Sequence, residues 1–293
     1  VEIDTPGGEI NAVLDICHAI KSSSIKNSVA WINTRAISGG AIIALACREI
    51  VVHDAATMGD ALPIAVGPTG IMELPPEERA KMLVGLLAEV VHSARQKNEY
   101  EGRYVYDESL VQSIMTTGVE LWWIRNKTTG EEMAVSEVEY RSLFGKAPPR
   151  SSPRVASVTP GQSADARTLE SYPDPDLGPT TPGATQGNQG FVPASPKLEN
   201  LASDVNTELA GQDQIYSTRR PIIETLDPGN WELVEYLTDG TVPVTLSASD
   251  LRALNLAANP PSQNINDLQD LQAWFAAKNI ERLDPLWSES LAS

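Results

Sequence analysis

A serine followed by two glycines is the first feature of this sequence that could do chemistry. It lies in Ala36-Ile37-Ser38-Gly39-Gly40-Ala41, where an apolar strand pattern gives way to an apolar helix pattern. A second glycine pair closes Asp4-Thr5-Pro6-Gly7-Gly8, at the carboxyl end of an earlier strand pattern. A serine on a strand-to-helix turn exposes its Oγ, and the helix N-terminus behind it offers unpaired N–H groups and positive potential. Glycines let a substrate backbone approach closely, and their N–H groups can face a developing oxyanion. Brought together, the two loops would supply a nucleophile and an oxyanion hole. Taken singly, each also reads as an ordinary tight turn, and Ser38 as a plain helix N-cap. Their order, inside one alternating frame, favours the chemical reading.

The elements that must position these loops alternate strand and helix over residues 1–143. Val1–Ile3 reads as the end of a buried strand. Ile10, Val13, Leu14, Cys17 and Ile20 then recur at helical spacing. Ser28–Ile32 and Ile50–Val52 read as strands on either side of the short apolar helix that Ser38 opens. Pro75-Pro76-Glu77-Glu78 starts a further helix, with the apolar stripe Leu83, Leu86, Leu87, Val90, Val91 and Ala94. This alternation predicts an α/β fold with a largely parallel sheet. Val119–Arg125 and Glu131–Ser136 flank Lys127-Thr128-Thr129-Gly130 and predict a β-hairpin. Its adjacent Trp122 and Trp123 point to opposite faces, one toward the core and the other toward a neighbour or a membrane partner. Residues 147–200 hold ten of the 21 prolines, which predicts a flexible linker over 147–214. Beyond it, Trp231–Leu237 reads as a strand. Ser247-Ala248-Ser249-Asp250 reads as a capping box before Leu251–Ala257, and Ile265–Asn279 as a last amphipathic helix.

Bulk composition narrows the function classes. The 293 residues carry 39 acidic and 22 basic side chains, a formal charge of -17. Such a surface repels phosphate backbones, so nucleic acid is excluded as a partner. Only Cys17 and Cys47 occur, both inside apolar helical runs, so they read as small buried hydrophobes. No apolar run approaches the ~18 residues that span a bilayer; the longest is Ala41 to Cys47. The chain opens inside a strand pattern without an initiator Met, and is read as a fragment. No metal-ligand spacing and no phosphate-binding loop is visible, and no cofactor is expected.

Three strings together resemble the NfeD-type branch of the ClpP/SppA serine peptidases. They are Ile3-Asp4-Thr5-Pro6-Gly7-Gly8, then Ile37-Ser38-Gly39-Gly40-Ala41-Ile42-Ile43-Ala44-Leu45-Ala46, and Met58-Gly59-Asp60-Ala61-Leu62-Pro63-Ile64. The resemblance implies a ClpP/crotonase-like spiral of β-β-α units, Ser38 as nucleophile, and an oxyanion hole from the Gly7, Gly8 and Gly39 amides. It implies a protease core over 1–118 and an inserted hairpin with a short helix over 119–146. After the 147–214 linker, 215–293 would complete the domain before a membrane region that the fragment lacks. Trp287, near the chain end, would suit that membrane boundary. The implied activity is a membrane-associated endopeptidase, its protease part extracytoplasmic. The implied substrates are apolar, membrane-proximal peptide segments such as those of stomatin-like partners, and the implied assembly is at least a homodimer.

A serine hydroxyl needs a neighbouring proton acceptor. His18, His53 and His92 are the only histidines. None falls near Ile64, where the Ser-His-Asp version of the ClpP family would place its base. The NfeD-type branch resembles a Ser-Lys dyad instead, and Lys81, 43 positions after Ser38, is the lysine at the start of the relevant helix. A lysine desolvated beside a hydroxyl loses part of its preference for charge and can act as general base. On a helical wheel, however, Lys81 lies opposite the apolar stripe, whereas Arg79 lies along it and cannot serve as base. Asp60 reads as the cap of a turn after Gly59, and Asp4 as the residue that fixes the oxyanion loop through backbone hydrogen bonds. Two rivals remain. One is a non-catalytic scaffold with Arg79 in the dyad position. The other is a crotonase-type acyl-CoA enzyme, disfavoured by the acidic balance and by Ser38 itself.

Overall fold

The computed structural model describes residues 1–67, 70–72, 75–96, 104–155 and 226–281. In chain order these form β1 (Glu2–Thr5), α1 (Ile10–Ser22), β2 (Val29–Ile37), α2 (Gly39–Ala46), β3 (Glu49–Val52) and β4 (Thr57–Gly59). A short antiparallel pair, β5 (Ala65–Gly67) and β6 (Gly70–Met72), precedes α3 (Pro76–Ala94) and α4 (Glu108–Ser113). Then come β7 (Leu121–Asn126), β8 (Glu132–Ser136) and α5 (Glu137–Phe144). The last elements are β9 (Trp231–Thr238), β10 (Thr245–Ser247), α6 (Ala248–Ala253) and α7 (Leu268–Trp274).

β2 is the axis of the main sheet. β1 lies parallel along one side. On the other side β3 pairs with its first half, Val29↔Glu49 to Ile32↔Val52, and β4 with its second half, Arg35↔Thr57 to Ile37↔Gly59. Both pairings are parallel, so β1, β2 and β4 run out toward one edge; β10 adds antiparallel to β4. The β1–β2 register jumps from Ile3↔Ile32 to Thr5↔Ala36, which leaves two extra residues of β2 bulged out. Thr34 sits in that bulge with φ 85, a conformation that a β-branched residue adopts only under constraint. Asp4 supplies the constraint: its Oδ1 accepts from Thr34 Oγ1 at 3.2 Å and from Arg35 Nε at 3.0 Å.

One face of this sheet carries α2, α1 and α3. The apolar stripes read from the sequence are the ones buried, with Val13, Cys17, Leu83, Leu86, Leu87, Val90 and Ala94 in the main core. The other face is covered by the C-terminal segment. Trp31 and Val51 bury against Ile265, with Leu268, Leu271 and Trp274 around them, and Trp31 Nε1 donates to the Ile265 carbonyl at 3.1 Å. Along the outer edge of β3 the chain imitates a strand. Val52 N–H donates to Asn259 Oδ1 at 2.9 Å, and Asn259 Nδ2 donates back to the Val52 carbonyl at 3.0 Å.

β7 and β8 pair antiparallel, and β9 returns from far along the chain to pair with the other edge of β7. A strand pattern announces β9 but not its partner; it joins the hairpin, while β10 and α6 go back to the main sheet. Trp122 and Trp123 do face opposite ways, yet both are buried by this chain, at 0% and 3% exposure. Trp123 joins the main core, and Trp122 packs in a second cluster with Tyr140, Leu143 and Tyr236. Neither is left for a neighbour or a membrane, because the second sheet has a core on each side. The capping box at Ser247 and Asp250 forms as read, but its helix is the six-residue α6, and α7 is likewise shorter than its pattern.

The first residues of the expected linker are pinned. Trp122 Nε1 donates to the Pro149 carbonyl, Arg150 pairs with Glu120 and Glu137, and the Arg154 and Val155 amides donate to Tyr236 and Leu237 carbonyls. Proline blocks helix and ladder, but it does not prevent an extended strap held by its flanking cations. Residues 156–214 of that linker, and Trp287, lie outside the described residues. Asn259 is fully buried and replaces a missing strand for Val52, so Asn259→Ala leaves the Val52 N–H unpaired and its carbonyl with only the 3.4 Å contact from Arg252. The expected loss is roughly 2–4 kcal/mol of unfolding free energy, read as a lower urea midpoint with unchanged slope.

Candidate active site

Ser38 follows β2 and precedes α2 with φ 54 and ψ −122. A non-glycine residue in this region is strained by about 1–3 kcal/mol and persists only where its surroundings fix it. Here Ser38 N–H donates to the Gly59 carbonyl at 2.9 Å, and its own carbonyl accepts from Ala41 N–H at 3.0 Å. Ser38 occupies the N-cap position, but its hydroxyl makes no capping bond to the helix. The plain-cap reading therefore does not describe it. The half-buried hydroxyl is left for other work.

The two glycine loops meet. Gly7 has φ 128, and a Cβ on it would stand 2.7 Å from Ser38 Cβ and 3.0 Å from Ser38 Oγ. The loop backbone thus lies directly against the serine side chain. A Cβ on Gly39 would strike Val13 Cγ2 at 2.4 Å and would lie 3.5 Å from the Gly8 nitrogen, so the Gly8 and Gly39 backbones share one wall. Among the described residues the Gly8 and Gly39 amides have no hydrogen-bond acceptor, whereas Gly7 N–H donates to Thr5 Oγ1 at 3.1 Å. Of the three amides expected at an oxyanion hole, two are open and the third is engaged inside its own loop.

β4 supports the serine turn from the other side. Gly59, at φ 144, accepts from Ser38, and a Cβ there would lie 2.2 Å from the Val244 carbonyl oxygen. Asp60 follows at φ 45 and makes its turn contact through its N–H, to Val244 O at 3.2 Å. Because Ile37 is in register with Gly59, Asp60 is the ionisable residue next to Ser38 in the strand order. Its residue surface is open, but the surrounding chain desolvates the carboxyl and pushes its pKa up. Asp4 does not hold the Gly7-Gly8 loop through the backbone hydrogen bonds expected of it; its carboxylate secures the β2 bulge, and Thr5 holds the loop.

Lys81 is exposed on α3, opposite the buried Leu83, Leu86, Leu87 and Val90, and makes no hydrogen bond among the described residues. The Arg79 side chain lies outside the described set. α3 is tied to α1, the helix that follows the Gly7-Gly8 loop, by Lys21 Nζ to Glu89 Oε1 at 2.6 Å. His18 and His92 are exposed, and His53 Nδ1 accepts from the Ala55 amide. Cys17 and Cys47 are buried; burial, reinforced by Glu89, pushes the Cys17 thiol up to about 12, so it is no nucleophile. Among the described residues no group of three or more His, Cys, Asp and Glu converges on a metal-sized point. No helix among them is long and apolar enough to cross a membrane.

Residues 1–70 match the family model described as NfeD1b, N-terminal domain. That stretch spans both glycine motifs and the Gly59–Pro63 turn, so the NfeD-type resemblance read from the motifs is shown where Ser38 lies. No curated protein matches the chain. Solved structures that it resembles include a membrane-bound stomatin-specific protease, 1510-N, as a lysine-to-alanine mutant in complex with a substrate peptide. Identity there is 20%, over 48% of this chain and 55% of that one, with a TM-score of 0.33. A serine-to-alanine mutant under the same protease name matches at 24% identity, over 39% of this chain and 52% of that one, with a TM-score of 0.31. The chain spans about half the length of these structures.

Two outcomes follow from this geometry. Gly59→Ala meets backbone at Val244 that cannot swing aside, and should cost about 2–4 kcal/mol in denaturant unfolding. The Asp60 carboxyl has a raised folded-state pKa, so the folded chain binds that proton more tightly than the unfolded chain. Stability then falls as pH rises from the ordinary carboxylate value through the raised one. Asp60→Asn should raise Tm at about pH 7, and the gain should vanish near about pH 3.

Proposed function

We propose that this chain is the protease part of a serine endopeptidase of the NfeD type, with Ser38 as nucleophile. The observation that carries the reading is the backbone at Ser38. A strained turn frees the hydroxyl from capping and sets it against Gly7, beside two open amides. Ser38 Oγ attacks the scissile carbonyl, and its proton passes to the neutral amine of Lys81. The Gly8 and Gly39 N–H groups receive the oxyanion, with Gly7 shaping the loop. Collapse of the tetrahedral species breaks the C–N bond, the proton goes to the leaving amine, and water then hydrolyses the acyl-enzyme through the same base.

Lys81 must be neutral to accept a proton. An apolar substrate segment or a second protomer laid over its exposed face of α3 would desolvate it. Val84, 43% exposed on the same helix, gives that face an apolar contact. Apolar, membrane-proximal peptides are the substrates this reading expects, with stomatin-like proteins as partners. It also expects a membrane-associated, extracytoplasmic protease working as at least a dimer. A second reading, a scaffold that keeps the fold without turnover, is favoured by the exposure of Lys81 and its lack of any bond to Ser38 among the described residues.

The test is cleavage of apolar peptides by the full-length protein, together with labelling of Ser38 by a fluorophosphonate. Ser38→Ala should abolish labelling and lower turnover by about a thousandfold or more. Lys81→Ala should lower turnover by about 10²–10⁴-fold, and Arg79→Ala should leave it within about twofold. Cleavage that survives Ser38→Ala removes the nucleophile assignment. A folded wild type that neither cleaves nor labels leaves the scaffold reading.

A further inference from the structure

The oxyanion loop contains a polar side chain that the reaction as drawn does not use. Thr5 is the last residue of β1, in register with Ala36 of β2, and both branches of its side chain are committed. Its Oγ1 lies 3.1 Å from Gly7 N, from which it accepts, and 3.1 Å from Gly7 O, to which it donates. One hydroxyl can do both, since it has one proton and free lone pairs. The methyl branch faces the other way. A Cβ on Gly40 would fall 2.5 Å from Thr5 Cγ2, so the methyl rests on the backbone of the first turn of α2. Threonine is stiff at χ1, so holding one branch fixes the other.

We propose that Thr5 is the positioning residue of the oxyanion loop: its hydroxyl locks the Gly7 unit so that the Gly8 amide, not the Gly7 amide, is the donor beside Ser38. The inference rests on the peptidase reading and adds a residue to it. Gly7 at φ 128 has no side chain to restrict it, and without a partner its peptide would sample many orientations. The hydroxyl removes that freedom locally, and the methyl sets the spacing between the loop and the α2 turn that carries Gly39. The two free amides are thereby held at one separation before any substrate arrives. A donor aimed in advance is what makes such a site effective; one free to rotate must be ordered in the transition state.

Valine keeps the shape of threonine and loses the hydroxyl, whereas serine keeps the hydroxyl and loses the methyl. In the full chain, Thr5→Val should slow fluorophosphonate acylation and lower kcat on an apolar fluorogenic peptide by about 10- to 100-fold, with KM within about threefold. Thr5→Ser should recover most of that loss. By ¹⁵N NMR, Gly7 amide exchange should accelerate at least about tenfold in Thr5→Val and stay near wild type in Thr5→Ser. Wild-type acylation by Thr5→Val, or equal damage in both variants, overturns the proposal. If the wild type itself resists the phosphonate, the peptidase reading fails separately. Thr5 is then judged by exchange: unchanged Gly7 protection in Thr5→Val overturns its role, and accelerated exchange supports it.

Discussion

The hydrogen bond from Ser38 N–H to the Gly59 carbonyl joins a strained turn to the neighbouring strand, and the packing around it makes that turn tolerable. The turn alone would relax, because a serine at φ 54 is disfavoured by about 1–3 kcal/mol. It is held from three directions. β4 supplies the acceptor, the Gly7 backbone closes on the side chain, and α2 behind it is buried along nearly its whole length. Ile42 and Leu45, the two large side chains that α2 buries, together contribute roughly 3–6 kcal/mol, enough to offset the strain. A side chain at Gly7 or at Gly59 would drive the segments apart.

Division of labour around this turn is visible in Asp4 and Thr5, adjacent residues that act in different directions. Asp4 reaches across to Thr34 and Arg35 and stabilises the bulge that phases β2 toward Ser38. Thr5 turns back on its own loop. Ser38 and the open Gly8 and Gly39 amides are therefore set by backbone, with side chains one step removed. Lys81, the proposed proton acceptor, differs in kind, since it stands on a solvent face of α3 with a long, flexible stem. Backbone dipoles need no reorganisation as charge develops, but a lysine must first lose water.

The remainder of the chain braces this corner with few cations in an acidic sequence. Arg154 joins Glu235 of β9 to Asp250 of α6, Arg252 holds Asp54, and Arg150 spans Glu120 and Glu137. Single exposed ion pairs contribute little. Arg150 and Arg154 each bridge two carboxylates, and Arg252 joins a carboxylate to the Val52 carbonyl, so each ties separate segments of the chain together. Through β10 and Val244, the far end of the chain also buttresses Gly59 and hence the serine turn.

Much of the fold was legible because it is local. Apolar spacing marked α1 and α3, strand runs marked β2 and β3, and Ser247 with Asp250 marked a helix start, since periodicity and capping act within a few residues. The two glycine motifs likewise announced the loops around Ser38. Partner choice was not legible. Nothing in Trp231–Thr238 says that it pairs with β7, nor that Trp122 and Trp123 would each find a core, because pairing is decided by which faces remain uncovered. The commitment of the Gly7 amide to Thr5, and the turning of Asp4 toward β2, depend on a register jump of two residues between strands. The sequence by itself determined the chemistry available, a serine and glycines at strand ends, because residue type and order are covalent. Only the tertiary structure decided which amides stay open and which carboxylate faces which loop, because those follow from how distant backbones pack together.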